Sequence, residues 1–159
     1  MIASALRSMV AYPLTRLQMM RVGRGFTVHS PFGYYFIRFV LRERCQFYCF
    51  RREVTSRADR RLFRVMNYFN PQTIAMTGSC DSAAAIARRV CPRATLTSRT
   101  DEADFVYVGP GGEIPAEFKV LYIEKCECKP ERAMTFTNDT TLIAVRRRGL
   151  PAQSFRLRF

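Results

Sequence analysis

The residues with the clearest chemical potential stand in one short run, Gly78-Ser79-Cys80-Asp81, directly after the apolar TIAMT segment at 73–77. A turn from strand into helix presents free backbone N–H groups, the means by which nucleotide-type cofactors are held. A ligand approaches such a turn closely only where side chains are absent, so dinucleotide turns are glycine-rich. Here Gly78 alone meets that need. Cys80 occupies a position where a helix start can lower a thiol's pKa. Asp81 is expected to be the N-cap, its carboxylate accepting from the first free N–H groups. That same charge opposes anions. Glu124, closing the LYIE run, is the one further carboxylate expected at the carboxyl edge of a sheet, where such folds bind ligands.

Other reactive residue types fit structural roles better. His29 is the only histidine and precedes Ser30-Pro31, a setting suited to bonding the loop backbone. With no second histidine to activate Cys80, no catalytic residue is assigned. Cys126-x-Cys128 is the closest cysteine pair, but a zinc site needs two more ligands, so no metal site is expected. Asp101, Glu102 and Asp104 read as a charged loop leading into a strand. Arg146 to Arg148 reads as a solvated lead into a turn, with nucleic-acid contact the lesser option.

Periodicity supplies the elements that must position these groups. Residues 2–22 read as two helical pieces, broken at Gly23 to Gly25. Ser30 then caps a helix with Pro31 in its first turn, and Phe32, Tyr35, Phe36, Phe39 and Val40 make its buried face; helical spacing favours core packing over a base-stacking platform. Ser56, with Asp59 three residues on, opens a helix that ends near Phe69 at Asn70-Pro71. Thr73–Thr77 is a strand, and the next helix runs from Asp81 to Cys91 before Pro92, with Ala83, Ile86, Ala87 and Val90 apolar. Strands are expected at Ala94–Ser98, Asp104–Gly109, Lys119–Ile123, Thr140–Arg146 and Gln153–Phe159, the last two forming an antiparallel hairpin. The FVYV and VLYI runs are apolar on both faces, as in a covered parallel sheet.

The 159 residues suit a single domain, 1–159, with helices over 1–69 and an α/β region over 70–159. An apolar fraction of 48% argues against disorder. No apolar run is long enough to cross a bilayer. No secretory signal is evident, and six scattered cysteines read as reduced thiols in a cytoplasmic protein. The net charge of +13 is lopsided. Residues 1–69 carry 13 arginines against 3 acids, whereas residues 70–159 carry 13 cations against 10 acids. Such an arm suits phosphates, an anionic lipid surface or a solvated basic face.

Four blocks carry a resemblance: TVHSPFGYYFI at 27–37, LFRVMNYFNPQTI at 62–74, ADFVYVG at 103–109 and TLIAVRRRGLPAQSFRLRF at 141–159. They resemble a bacterial branch of the class I S-adenosylmethionine-dependent methyltransferases. The resemblance implies a Rossmann-like, mostly parallel seven-stranded sheet whose last strand is antiparallel, with S-adenosylmethionine at Gly78, Ser79, Cys80 and Asp81 and a carboxylate such as Glu124. The family's acid and glycines after the first strand correspond here to Ala75, Thr77 and Asp81. Its ribose-binding acid falls in Thr97-Ser98-Arg99, with Asp101 the nearest carboxylate. Its Asp-Gly-polar-His signature after the fourth strand reads Gly109-Pro110-Gly111-Gly112.

Only Arg99 to Ala103 would connect the family's second strand to its fourth, so its third strand and flanking helices are expected to be missing. One sheet face should then lack cover, leaving a surface for the N-terminal helices, a protein partner or a second copy. The leading expectation is a methyltransferase-like protein with weakened or lost cofactor binding and catalysis. An active small-molecule methyltransferase with an atypical pocket and a basic nucleic-acid-binding module are the alternatives.

Overall fold

The computed structural model describes residues 30–124 and 130–159; the expected helices within 2–22, the break at Gly23 to Gly25, His29 and the Cys126-x-Cys128 pair lie outside them. Helix α1, Pro31–Phe36, starts as its sequence demands: Ser30 is extended, its Oγ accepts from Gly33 N at 3.2 Å, and Pro31 fills the first turn. From Ile37 to Leu41 the chain widens into a π-type turn. The buried face keeps regular helical spacing through it, at Gly33, Phe36, Ile37, Val40 and Leu41. Phe36, Ile37, Val40 and Leu41 point inward, whereas Tyr35 and Phe39, expected in the core, are each 50% exposed. A short 3₁₀ turn, Tyr48–Arg51, leads to α2, Arg57–Phe69. Ser56 Oγ accepts from Asp59 N at 3.0 Å, while the Asp59 carboxylate accepts from Ser82 instead of completing a capping box. Asn70 ends α2 in the left-handed region (φ 43°), ahead of Pro71.

Strand β1, Thr73–Thr77, forms as expected and is followed by α3, Asp81–Val90. The remaining strands are β2 (Thr95–Thr97), β3 (Phe105–Val108), β4 (Val120–Glu124), β5 (Met134–Thr137), β6 (Thr141–Val145) and β7 (Ser154–Arg156). They form one sheet in the order β2-β1-β3-β4-β6-β5-β7. Only β6 runs against the rest. The expected pairing of the last two strands is corrected. The antiparallel hairpin is β5–β6, closed through Asn138, whose side chain accepts from Thr140 N and Thr141 N. β7 instead pairs parallel with β5 at the sheet's edge. The MTFT segment is not among the expected strands, and its partner is chosen by tertiary packing.

A parallel crossover of seven residues, 98–104, joins β2 to β3 across β1. The shortness of β2 makes it feasible. Thr97 lies level with Ala75, and Phe105 with Ile74, so the chain drops back by a single residue step. Crossing two inter-strand spacings takes about 10 Å, and seven residues reach up to ~23 Å. No helix is required.

The two sheet faces differ in side-chain size. Ile74, Phe105, Tyr107, Tyr122, Phe136, Ile143 and Phe155 face the three helices in the main core. Ala75, Val106, Val108, Leu121, Ile123, Leu142 and Ala144 form the other face, joined by Ala103, Phe118 and Ala133 from adjoining loops. The loops between β2 and β3 and between β3 and β4 contain no helix. Leu121, Ile123, Leu142 and Ala144 on this face are nevertheless buried, as strands apolar on both sides require.

Candidate functional site

The turn after β1 and the loop after β3 meet at the carboxyl edge, backbone against backbone. Gly78 has φ +75°, and a Cβ there would stand 2.6 Å from Gly112 N and 2.8 Å from Gly109 O. A Cβ at Gly112 would stand 2.7 Å from Thr77 O, and one at Gly109 would run into the Ser79 carbonyl. Ser79 N donates to Pro110 O at 3.1 Å, Gly109 N to Thr77 O at 2.9 Å, and Thr77 Oγ1 to Glu113 O at 3.1 Å. The glycines thus serve chain-to-chain contact. The Ser79 N–H is already used, and the space beside Gly78 is filled by 109–112. These residues do not fit an adenosyl group, which would need bare backbone at Gly78 with open space beside it. Asp81 is the first residue of α3, not its N-cap; that position falls to Cys80, which makes no side-chain cap bond.

Glu124 ends β4, two strands from β1, in register with Thr141. Burial first, then the charge and hydrogen bond of Glu124, push the Tyr107 phenol well above its usual range; the Cys80 thiol acts in the same direction. Cys80, Tyr107 and Glu124 therefore come together on the helix-covered face. Tyr107 stays protonated beside Glu124 and is not a free base. Tyr122 stacks on Tyr107 with ring centroids 5.9 Å apart. Burial holds its phenol neutral against the pull of Arg61, and its hydroxyl makes no hydrogen bond of ordinary geometry. The sequence signal for this cluster was present: a tyrosine inside a fully buried strand needs a partner for its hydroxyl.

The other candidates take structural roles. Asp101 and Glu102 pair with Arg99. Asp104 accepts from Lys119 Nζ at 2.7 Å and from Gln72 N and Thr73 N, tying the starts of β1, β3 and β4. Arg146, expected to be solvated, is engaged by both terminal nitrogens: it lies over the Phe118 ring at 4.3 Å, pairs with Glu117 and donates to Ala116 O and Glu131 O. Cys45, Cys49, Cys80 and Cys91 are free thiols. Among the described residues no cluster of His, Cys, Asp or Glu is arranged to hold a metal ion. No described helix is long and apolar enough to cross a membrane.

A second concavity lies along α2. Arg57, Arg60, Arg61 and Arg64 recur at helical spacing and, with Arg42 and Arg158, line a cavity of about 320 Å³. Arg60 donates to Val54 O and Phe50 O, and Arg61 to Thr141 Oγ1 and the Phe159 backbone oxygen. Burial, and then Arg60 and Arg61, lower the Arg64 pKa, against Glu43, which raises it. Comparison with protein-family models, with curated proteins and with solved structures gives no match to this chain.

Proposed function

We propose that this chain is a methyltransferase-like protein that no longer binds S-adenosylmethionine and acts by binding a partner. Four sequence blocks resemble the family, and the sheet is mostly parallel with a single opposed strand, although that strand is β6 and not the last one as the resemblance implies. The carrying observation is the closure of the β1–β3 crevice by contact between Gly78 and Gly109–Gly112. Loss of acids alone leaves room for an unusual pocket, because methyl transfer depends chiefly on positioning. Backbone occupying the cradle removes the positioning itself. The Tyr107 phenol, held protonated chiefly by burial, adds no base at this edge. Isothermal titration with S-adenosylmethionine tests this: no binding is expected, and a micromolar dissociation constant would overturn it.

A further inference from the structure

We propose that the arginine groove on α2 and the aromatic shelf beside it form a binding surface for single-stranded nucleic acid. The arginines engage its phosphates, and Tyr35, Phe39 and Phe47 stack on its bases. Three depressions run together here. The arginine cavity shares Arg57, Arg61, Arg158 and Phe159 with one of about 420 Å³ that reaches Asn138 and Thr140. On its other side it shares Glu43 and Arg64 with one of about 190 Å³ lined by Tyr35, Phe39, Phe47 and Tyr68.

Arg57, Arg60, Arg61 and Arg64 are neighbours at i+3 and i+4 on one helical stripe, a repulsive arrangement in an isolated helix. None of them, nor Arg42 or Arg158, forms an ion pair among the described residues. Glu43 and Asp139 are the acids lining these depressions, and Asp139 is paired with Arg156. A surplus of cations gathered in a concavity is complementary to a polyanion. The rings supply the second part. Tyr35 and Phe39 are each 50% exposed, with centroids 4.9 Å apart, and Tyr68 lies 5.9 Å from Tyr35. Arg57 to Tyr68 covers about 17 Å of helix, enough for a few nucleotides. A basic groove with adjoining exposed rings is the arrangement that binds single strands with little sequence preference. The rings line a depression rather than a raised apolar face, which favours this ligand over a lipid surface.

This surface is separate from the β1–β3 crevice, so RNA binding and cofactor titration report independently. Fluorescence anisotropy with a labelled single-stranded RNA dodecamer at low salt provides the test, with inorganic tripolyphosphate and vesicles containing phosphatidylserine as separate arms. Binding should weaken with salt, and the same sequence as a duplex should bind less tightly. Arg57 and Arg158 make no hydrogen bond among the described residues, so Arg57→Gln with Arg158→Gln should leave the fold intact by circular dichroism. That pair should reduce the log–log salt slope by about 1.4, at ~0.7 per phosphate contact. Phe39→Ala should weaken binding at least about fivefold. No RNA binding at low salt would overturn the proposal. So would loss of binding in Arg147→Gln with Arg148→Gln but not in Arg57→Gln with Arg158→Gln, vesicle binding without RNA binding, or tripolyphosphate binding with RNA ignored.

Discussion

Glycine at 109 and glycine at 111 do different work, and the contrast separates packing from backbone conformation. Gly109 stands where any Cβ would strike the Ser79 carbonyl, whereas Gly111 has φ +77° and nothing within 4 Å of where its Cβ would stand. Gly109→Ala should cost up to about 3 kcal/mol, as overpacking does, and loosen the Ser79–Pro110 contact. Gly111→Ala should cost about 1 kcal/mol, the strain of a left-handed L-residue. Urea denaturation compares them directly; equal losses would remove packing as the reason for Gly109. The sequence displayed all these glycines but not their use. Gly109-Pro110-Gly111-Gly112 reads as a missing active-site signature, while the fold makes it the surface against which Gly78 is pressed. Glycine permits close approach by any backbone, and only tertiary structure reveals whose.

At the scale of elements, local capping chemistry was readable. Ser30 and Ser56 cap their helices, and Asn70-Pro71 ends α2, because a cap bond joins groups three or four residues apart. The orientation of α1's aromatic face was not readable. Helical spacing fits a stripe through Tyr35 and Phe39 as well as one through Gly33, Phe36, Ile37, Val40 and Leu41, and the fold buries the second. Phe36→Ala should therefore cost about 3–5 kcal/mol, since that ring is fully buried among Phe32, Tyr68, Phe69 and Phe136. Phe39→Ala should cost under about 1 kcal/mol. Thermal or chemical unfolding of the two variants checks this, and equal costs would place both rings in the core.

Over the whole molecule, the central strands are registered partly by one carboxylate. The bond from Lys119, then those from Thr73 and the Gln72 amide, hold the Asp104 carboxyl below its usual range against a partial desolvation. A carboxyl depressed in the folded state stabilises above its unfolded pKa, about 4, and that contribution disappears as pH falls through the folded value. Wild type should thus exceed Asp104→Asn in stability at pH 7, with the gap narrowing below about pH 4. Denaturant midpoints across pH measure this, and a constant gap would rule out the linkage.

The sequence by itself determined the α/β class, strand β1, helices α2 and α3, the doubly buried FVYV and VLYI strands and the concentration of arginine before residue 70. Each of these follows from local spacing, capping or composition. Only the tertiary structure decided that β5 pairs with both β6 and β7, that the post-strand turns close on each other, and that α2's arginines adjoin an exposed aromatic shelf. Those features bring together residues distant along the chain, and their geometry is fixed by strand register and packing, for which periodicity carries no signal.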